Sequence, residues 1–328
     1  MSAGAPLPRG EGSDLRIGFL DSGLGLVGFA DALLARAPAT DLVLGMDPVN
    51  RPYGALTAER LTEVVVASAA ALAQWEPDAI VIACNTASVH TLGALRAQFE
   101  PRIPIIGTVP AIKPAAATNR PFAVWATDAT TASDYQRRLI DAFAADLPVT
   151  RVAASGLADA IDAGSPERIE AAIAEAAART PADVASVVLG CTHYGLVADR
   201  IRHALAQRGI TGVTLFDSPD AVAAQTLRRV RATHAAGVAA VPLGTATAPL
   251  PIQAAGSAPA TGSVPVAASA GPADGDPAAS VTTTSATGSS APRRGRVLAT
   301  YLSGESARLP TVLDTYTAGR RLLQRETP

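Results

Sequence analysis

Short apolar runs alternate with longer amphipathic runs along most of the chain. Nine of the runs are short, and most of these have polar or glycine ends, which is typical of strands buried on both faces. They lie at about 15–20, 41–46, 79–83, 104–107, 122–126, 149–153, 184–189, 213–216 and 297–301. The clearest runs with helical spacing lie at 57–75, 87–98, 131–145, 165–179 and 195–208. This alternation predicts an α/β fold in which helices cover both faces of a parallel sheet.

The composition adds limits on size and on partners. The 328 residues are enough for two ordinary domains, and 48% of them are hydrophobic but only 4% aromatic, which favours closely packed layers. The net charge is −2 without a basic tract, so we expect no nucleic-acid partner. No apolar run approaches the roughly 20 residues that span a membrane. The first 14 residues lack the apolar centre of a secretory signal, so we expect a disordered lead and a cytoplasmic protein.

Residues 235–292 differ from the rest of the chain in composition. They are rich in Ala, Pro, Gly, Ser and Thr, and their only charged residues are Asp274 and Asp276. Such side chains bury too little apolar area to offset the entropy lost on ordering. The segment predicts a disordered insertion within a domain, because a strand, turn and helix pattern resumes at 296–323.

A glycine-rich segment after the first strand supports two interpretations. Residues 23–28 match the G-x-G-x-x-G pattern of dinucleotide-binding loops, and Asp47 lies about 20 residues further on, where a ribose-binding acid is expected. Asp21 and Ser22 argue against this, because a carboxylate at that position would repel a pyrophosphate. The alternative is a turn whose glycines allow a helix to pack closely against a strand. This segment alone leaves both interpretations open.

Two further loops each place a cysteine directly after a predicted strand. VIACNTASVH (81–90) contains Cys84 and VVLGCTHYGL (187–196) contains Cys191, and these are the only cysteines of the chain. Polar residues follow each cysteine and open the next helix, whose positive end favours a thiolate. A single free cysteine is most often a core residue. The repetition of one pattern in both halves instead favours two thiols at the carboxyl ends of strands, where ligands bind.

Two thiols that face each other suit racemisation at a carbon acid. One thiolate removes the α-proton from one face, and the other thiol donates a proton to the opposite face. A disulfide exchanger also uses two cysteines, but its C-x-x-C spacing is absent.

Seven segments of the sequence resemble the cofactor-independent glutamate racemases of the aspartate/glutamate racemase superfamily. They follow the family's order and comprise IGFLDSGLG (17–25), RPYG (51–54), VIACNTAS (81–88), IPIIGTVPAIKPA (103–115), ATDATTASDYQ (126–136), VVLGCTHYGL (187–196) and FDS (216–218). The resemblance spans about 15–230 and resumes at 296–323, and the paired CNTAS and GCTHY motifs are its most specific part.

The resemblance implies two similar Rossmann-like (flavodoxin-like) parallel-sheet domains with the active site in the cleft between them. The first domain would comprise 15–106 with 211–230 and 296–323, and the second would comprise 107–210. It also implies interconversion of L- and D-glutamate without cofactor or metal, which supplies D-glutamate for peptidoglycan. The small-molecule substrate would be the main partner, and base rates for such enzymes favour a homodimer.

The same resemblance implies roles for individual residues. Cys84 and Cys191 would be the two catalytic acid/bases, with Asp21 beside the first thiol and His193 beside the second. Short polar side chains and backbone amides would bind the substrate carboxylates, partly at helix N-termini. These substrate-binding residues would be Ser22, Pro52, Tyr53, Gly54, Asn85, Thr86, Thr130 and Thr192.

Several positions depart from the family pattern. Leu26 stands where the family has glycine, Asp162 where it tends to have glutamate, and Gly195 where it usually has proline. Further departures lie at Pro48, Val49, Asn50 and Asp128. They surround the expected pocket, so aspartate or another acidic amino acid stays open as the substrate. A racemase-like binding protein with weakened catalysis is a second alternative.

Overall fold

The computed structural model describes residues 15–237 and 293–326. The predicted lead at 1–14, and residues 238–292 of the predicted insertion, lie outside the described residues. The described strands are β1 (Arg16–Asp21), β2 (Asp41–Met46), β3 (Ala79–Ile82), β4 (Ile105–Gly107), β5 (Phe122–Ala126), β6 (Val149–Ala153), β7 (Ser186–Leu189), β8 (Thr214–Phe216), β9 (Val297–Leu302) and β10 (Glu305–Ala307).

Helices follow most of the strands, as the alternating pattern predicts. The described helices are α1 (Leu26–Arg36), α2 (Ala58–Ala73), α3 (Asn85–Phe99), α4 (Ile112–Ala116), α5 (Asp128–Ala132), α6 (Asp134–Ala144), α7 (Leu157–Asp162), α8 (Pro166–Ala178), α9 (Ala198–Gln207), α10 (Pro219–Ala235) and α11 (Thr317–Leu323). None of them is long and apolar enough to cross a membrane.

The strands form two sheets. The first has the order β10-β9-β2-β1-β3-β4 and is parallel except for its edge strand β10. Strand β9 pairs in parallel with β2, so the chain that resumes at residue 293 completes this sheet. The second sheet has the order β6-β5-β7-β8 and is entirely parallel.

Strand β8 corrects one predicted boundary. The sequence analysis assigned 211–230 to the first domain, but β8 pairs with β7, with Leu215 opposite Val187. Consecutive strands joined by a helix tend to be neighbours in one sheet, and here α9 provides the crossover. Helix α10 does contact α1, β3 and β4 of the first half, so the chain changes sides just before it. The division of the chain into two domains stays a prediction.

Burial explains why the strands were readable from sequence. Every residue of β1, β2, β3, β5 and β7 is buried, which requires continuous apolar runs. All nine predicted strands are confirmed. The additional strand β10 was missed because it has only three residues, two of them polar. It follows a tight turn in which Ser303 (φ 50°) and Gly304 (φ 86°) both have positive φ.

Candidate active site

The carboxyl ends of β1, β3 and β7 open on one cavity of about 290 Å3, which residues of both halves line. The predicted site residues that line it are Ser22, Pro52, Tyr53, Gly54, Cys84, Asn85, Thr86, Thr130, Cys191, Thr192 and His193. Asp21 lies behind this wall, where its side chain contacts Ser22 and Thr192. The fold therefore brings together every residue that the resemblance selected.

Cys84 belongs to the first half and is buried. It immediately precedes α3, and its Sγ lies 3.9 Å from Oγ of Ser22, which in turn donates a hydrogen bond to Asp21 Oδ1 at 3.2 Å. Burial raises the pKa of Cys84 to about 12, and the charge of Asp21 adds to this rise. The backbone N–H of Ala87 at the helix end acts in the opposite direction but is outweighed. The expectation that this helix end favours a thiolate is therefore wrong.

Asp21 has a carboxyl group whose pKa lies close to neutral pH. Its side chain is almost completely buried, and burial raises its pKa to about 6 although the charge on His193 opposes the rise. It accepts hydrogen bonds from the Ser22 backbone N–H at 2.6 Å and from Thr192 Oγ1 at 3.1 Å. At pH 7 this group is mostly ionised and can still accept a proton.

Cys191 belongs to the second half and has a different neighbourhood. Its half-buried Sγ lies 3.7 Å from Nδ1 of His193, and Nε2 of the same ring lies 3.2 Å from Asp162 Oδ1. Burial disfavours a charged imidazole, but the Asp162 carboxylate outweighs burial and holds the pKa of His193 well above its ordinary value. The thiol thus lies at the end of a chain of groups that can supply or accept a proton.

Asp162 and Arg51 are site residues that the sequence analysis did not assign a role. Asp162 ends α7, and its Oδ1 also accepts the backbone N–H of Leu24 at 2.9 Å. Burial acts to raise the pKa of Asp162, but His193, the Leu24 N–H and Arg51 together hold it below the ordinary value. Arg51 reaches this carboxylate from the loop after β2, in the first half. The available signals were weak: Asp162 was only a departure from a family pattern, and Arg51 was one letter of RPYG.

Asp47 has a structural task in this site. Its buried carboxylate accepts hydrogen bonds from Tyr53 Oη at 3.1 Å, Asn50 Nδ2 at 3.0 Å and Ser303 Oγ at 2.6 Å. These contacts hold the Tyr53 side chain at the cavity wall. Protein donors already occupy the carboxylate, which argues against a ribose-binding role.

The glycines of the G-x-G-x-x-G segment allow close packing near the two thiols. A Cβ at Gly25 would lie 2.2 Å from both Asp21 Oδ2 and Thr192 Oγ1. A Cβ at Gly23 would lie 2.7 Å from both carboxylate oxygens of Asp162. Both contacts are shorter than real side chains tolerate, so the tight-turn interpretation of this segment is the one that fits the structure.

The wall of the cavity beside Cys84 offers polar groups for a ligand. Asn85 and Thr86 form the first turn of the 15-residue helix α3, where free backbone N–H groups favour anions. The Asn85 amide donates to the Gly190 carbonyl at 2.9 Å, and among the described residues its buried Oδ1 has no hydrogen-bond partner. Within the described residues, no cluster of three or more His, Cys, Asp or Glu side chains could hold a metal ion.

Comparison with known proteins connects this geometry to one family. Residues 29–226 match the model of the Asp/Glu/hydantoin racemase family. The chain is 36% identical over 250 residues to the glutamate racemase of Ralstonia nicotianae, and this alignment covers 73% of this chain and 87% of that protein. It is 35% identical over 224 residues to the glutamate racemase of Herpetosiphon aurantiacus, which covers 67% and 86%.

Solved structures show the same likeness. Escherichia coli glutamate racemase, in complex with L-glutamate and the activator UDP-MurNAc-Ala, aligns with a TM-score of 0.61 at 30% identity over 66% of this chain and 82% of that chain. Glutamate racemase isoform RacE1 of Bacillus anthracis aligns with a TM-score of 0.54 at 25% identity, over 67% and 83%.

Proposed function

The chain belongs to the Asp/Glu/hydantoin racemase family, and we propose that it interconverts L- and D-glutamate by proton transfer between two cysteines. One observation carries the mechanism: Cys84 and Cys191 follow strands of different sheets and line the same cavity. The identities of the relatives support glutamate as the substrate. The product D-glutamate would be used for peptidoglycan.

The proposed reaction proceeds in one proton-transfer cycle. A thiolate on one side removes the α-proton of the bound amino acid, and the thiol on the other side protonates the opposite face of the planar carbanion. The reverse reaction exchanges the two roles. Both proton-transfer groups belong to the chain, so the reaction requires no cofactor.

Each thiol has its own route for a proton. On the first side, Ser22 lies between Cys84 and the Asp21 carboxylate, whose pKa of about 6 suits a proton acceptor at neutral pH. On the second side, the His193 imidazole contacts Cys191 and is held by Asp162. These contacts support Cys84 and Cys191 as the catalytic residues of the proposed reaction, with Asp21 behind the first thiol and His193 with Asp162 behind the second.

Substrate orientation follows from the cavity wall. The first turn of α3 suits a carboxylate of the substrate, because its N–H groups are not used within the helix. Thr130 in α5 also lines the cavity and supplies a hydroxyl for the second carboxylate.

Replacement of each catalytic thiol by serine tests the mechanism. We expect Cys84→Ser and Cys191→Ser each to lower kcat for L-glutamate by about 10²–10⁴-fold, because a hydroxyl is a far weaker proton-transfer group than a thiol. Circular dichroism follows the ellipticity of the substrate as its enantiomers interconvert, and the far-ultraviolet signal of the protein alone checks the fold. Aspartate, measured in parallel, separates the two acidic substrates.

A substrate with chloride at the β-carbon tests whether the thiols act on opposite faces. Elimination needs only one base: the α-proton leaves, the C–Cl bond breaks and a C=C bond forms. Each serine variant is therefore expected to eliminate chloride from only one enantiomer, and the two variants from opposite ones. Near-wild-type racemisation by both variants, or elimination from the same enantiomer, would contradict the two-thiol mechanism.

A further inference from the structure

Arg51 is a cation in the wall of the catalytic cavity that the reaction above does not use. It lies in the loop between β2 and α2, and its side chain is 27% exposed. Its guanidinium extends to the Asp162 carboxylate at the end of α7, in the other half of the molecule. It is the one arginine or lysine among the described residues that line this cavity.

The two oxygens of Asp162 have different partners. Oδ1 accepts from the Leu24 backbone N–H at 2.9 Å and contacts His193 Nε2 at 3.2 Å, whereas Oδ2 contacts Arg51. The orientation of the carboxylate is therefore fixed by Leu24 and His193 without help from Arg51. What Arg51 contributes is a second positive charge on the same anion.

Few charged or titratable groups face this carboxylate and the imidazole. Asp162 and His193 interact with each other, and the remaining groups that act on one or both are Arg51, Asp21, Cys191 and Tyr316. The hydroxyl of Tyr316 donates a hydrogen bond to the Ile161 carbonyl, so this side chain carries no charge. Within the part of the chain that the structure describes, Arg51 is thus the single permanent cation of this group, and it competes with the imidazolium for one carboxylate.

We propose that Arg51 is a positioning residue for proton transfer at Cys191, which acts by taking up part of the Asp162 charge and so makes His193 release its proton more readily. The inference rests on the proposed function, since it assigns Cys191 to catalysis. The physical basis is that an anion shared by two cations stabilises each of them less than it stabilises one alone. The imidazole can then both accept and return the proton of the thiol.

Nitrogen-15 NMR of the imidazole rings tests this directly, because the chain has only four histidines. The variants are Arg51→Gln, which removes the charge, and Arg51→Lys, which keeps it. The matched control is Arg179→Gln, which removes an exposed arginine that pairs with Glu175 at the end of α8. His193 is assigned by its loss in His193→Asn, and its ring is titrated from pH 6 to pH 10.

We expect Arg51→Gln to move the titration midpoint of His193 to higher pH by about one unit. If the new midpoint lies above pH 10, the ring stays protonated throughout the titration. Arg51→Lys and Arg179→Gln should leave it near the wild-type midpoint. An unchanged midpoint in Arg51→Gln would overturn the inference. An Arg51–Asp162 ion pair with only a structural role would alter KM or thermal stability and leave the titration of the imidazole unaffected. A shift of equal size in Arg179→Gln would overturn it as well.

Activity on glutamate gives a separate result. If the proposed function holds, the pH at which kcat falls on the alkaline side is higher in Arg51→Gln, and it rises together with the His193 midpoint. Absence of racemisation in the wild-type protein would refute the proposed function, while the NMR titration would still decide whether Arg51 controls His193.

Discussion

Replacement of Asp21 by asparagine should remove the pH dependence that this buried carboxyl group imposes on stability. The side chain is 1% exposed, so solvent does little to screen its charge. Asparagine has the same shape: its oxygen can still accept from the Ser22 N–H, and its amide can donate to the Thr192 hydroxyl. The substitution therefore removes the charge and keeps the contacts.

The magnitude follows from the pKa of Asp21, which burial raises from the ordinary 3.8 to about 6. Each pH unit between the two values is worth about 1.4 kcal/mol, so ionisation of the native group costs about 3 kcal/mol in total. The native state binds this proton more tightly than the unfolded state. Its contribution to stability is present below pH 3.8 and is lost as the pH rises through 6.

Urea denaturation at a series of pH values measures the effect. Between pH 4.5 and pH 8 we expect the free energy of unfolding of Asp21→Asn to rise by about 2 kcal/mol relative to the wild type. The fully exposed Asp199 provides the control, and Asp199→Asn should follow the wild-type curve. A difference between Asp21→Asn and the wild type that stays constant over this range would refute the assignment of a buried carboxyl with a raised pKa.

Two further predictions concern the glycines and the thiols. Gly25→Ala should lower the free energy of unfolding by about 1–3 kcal/mol, because its Cβ would lie 2.2 Å from the Asp21 and Thr192 oxygens. Gly28→Ala, whose Cβ would meet nothing closer than 3.9 Å, should gain about 0.5–1 kcal/mol from helix propensity; equal effects at both sites in thermal melts would contradict the packing argument. Iodoacetamide at pH 8 should alkylate the half-buried Cys191 well before Cys84, whose burial raises its pKa to about 12. Peptide mass spectrometry measures the order, and faster modification of Cys84 would show that its thiol is neither shielded nor protonated.

Much of the fold was accessible from sequence because it depends on local patterns. Buried parallel strands need apolar runs, so the positions of nine strands along the chain followed from letters a few positions apart. The β8 assignment failed because sheet membership depends on which neighbour a strand pairs with. The short apolar run at residues 213–216 contains no signal for the choice of neighbouring strand.

The site divides in the same way. The sequence by itself determined the two cysteine loops and the polar residues beside them, because each motif is a continuous segment at the end of one strand. Only the tertiary structure decided the contacts that tune them: Asp162 with His193, Arg51 with Asp162, and Thr192 with Asp21. Those partners are 31, 111 and 171 positions apart.

The tertiary structure also decided what individual residues do. The glycines of residues 23–28 match a dinucleotide pattern, yet in the fold Gly23 and Gly25 leave room for the Asp162 and Asp21 carboxylates. Asp47 is at the right distance for a ribose, yet it holds Tyr53. The helix end predicted a thiolate at Cys84, and burial reversed it. The physical reason is common to all three: charge, desolvation and steric fit depend on distances in space, and a sequence pattern records only distances along the chain.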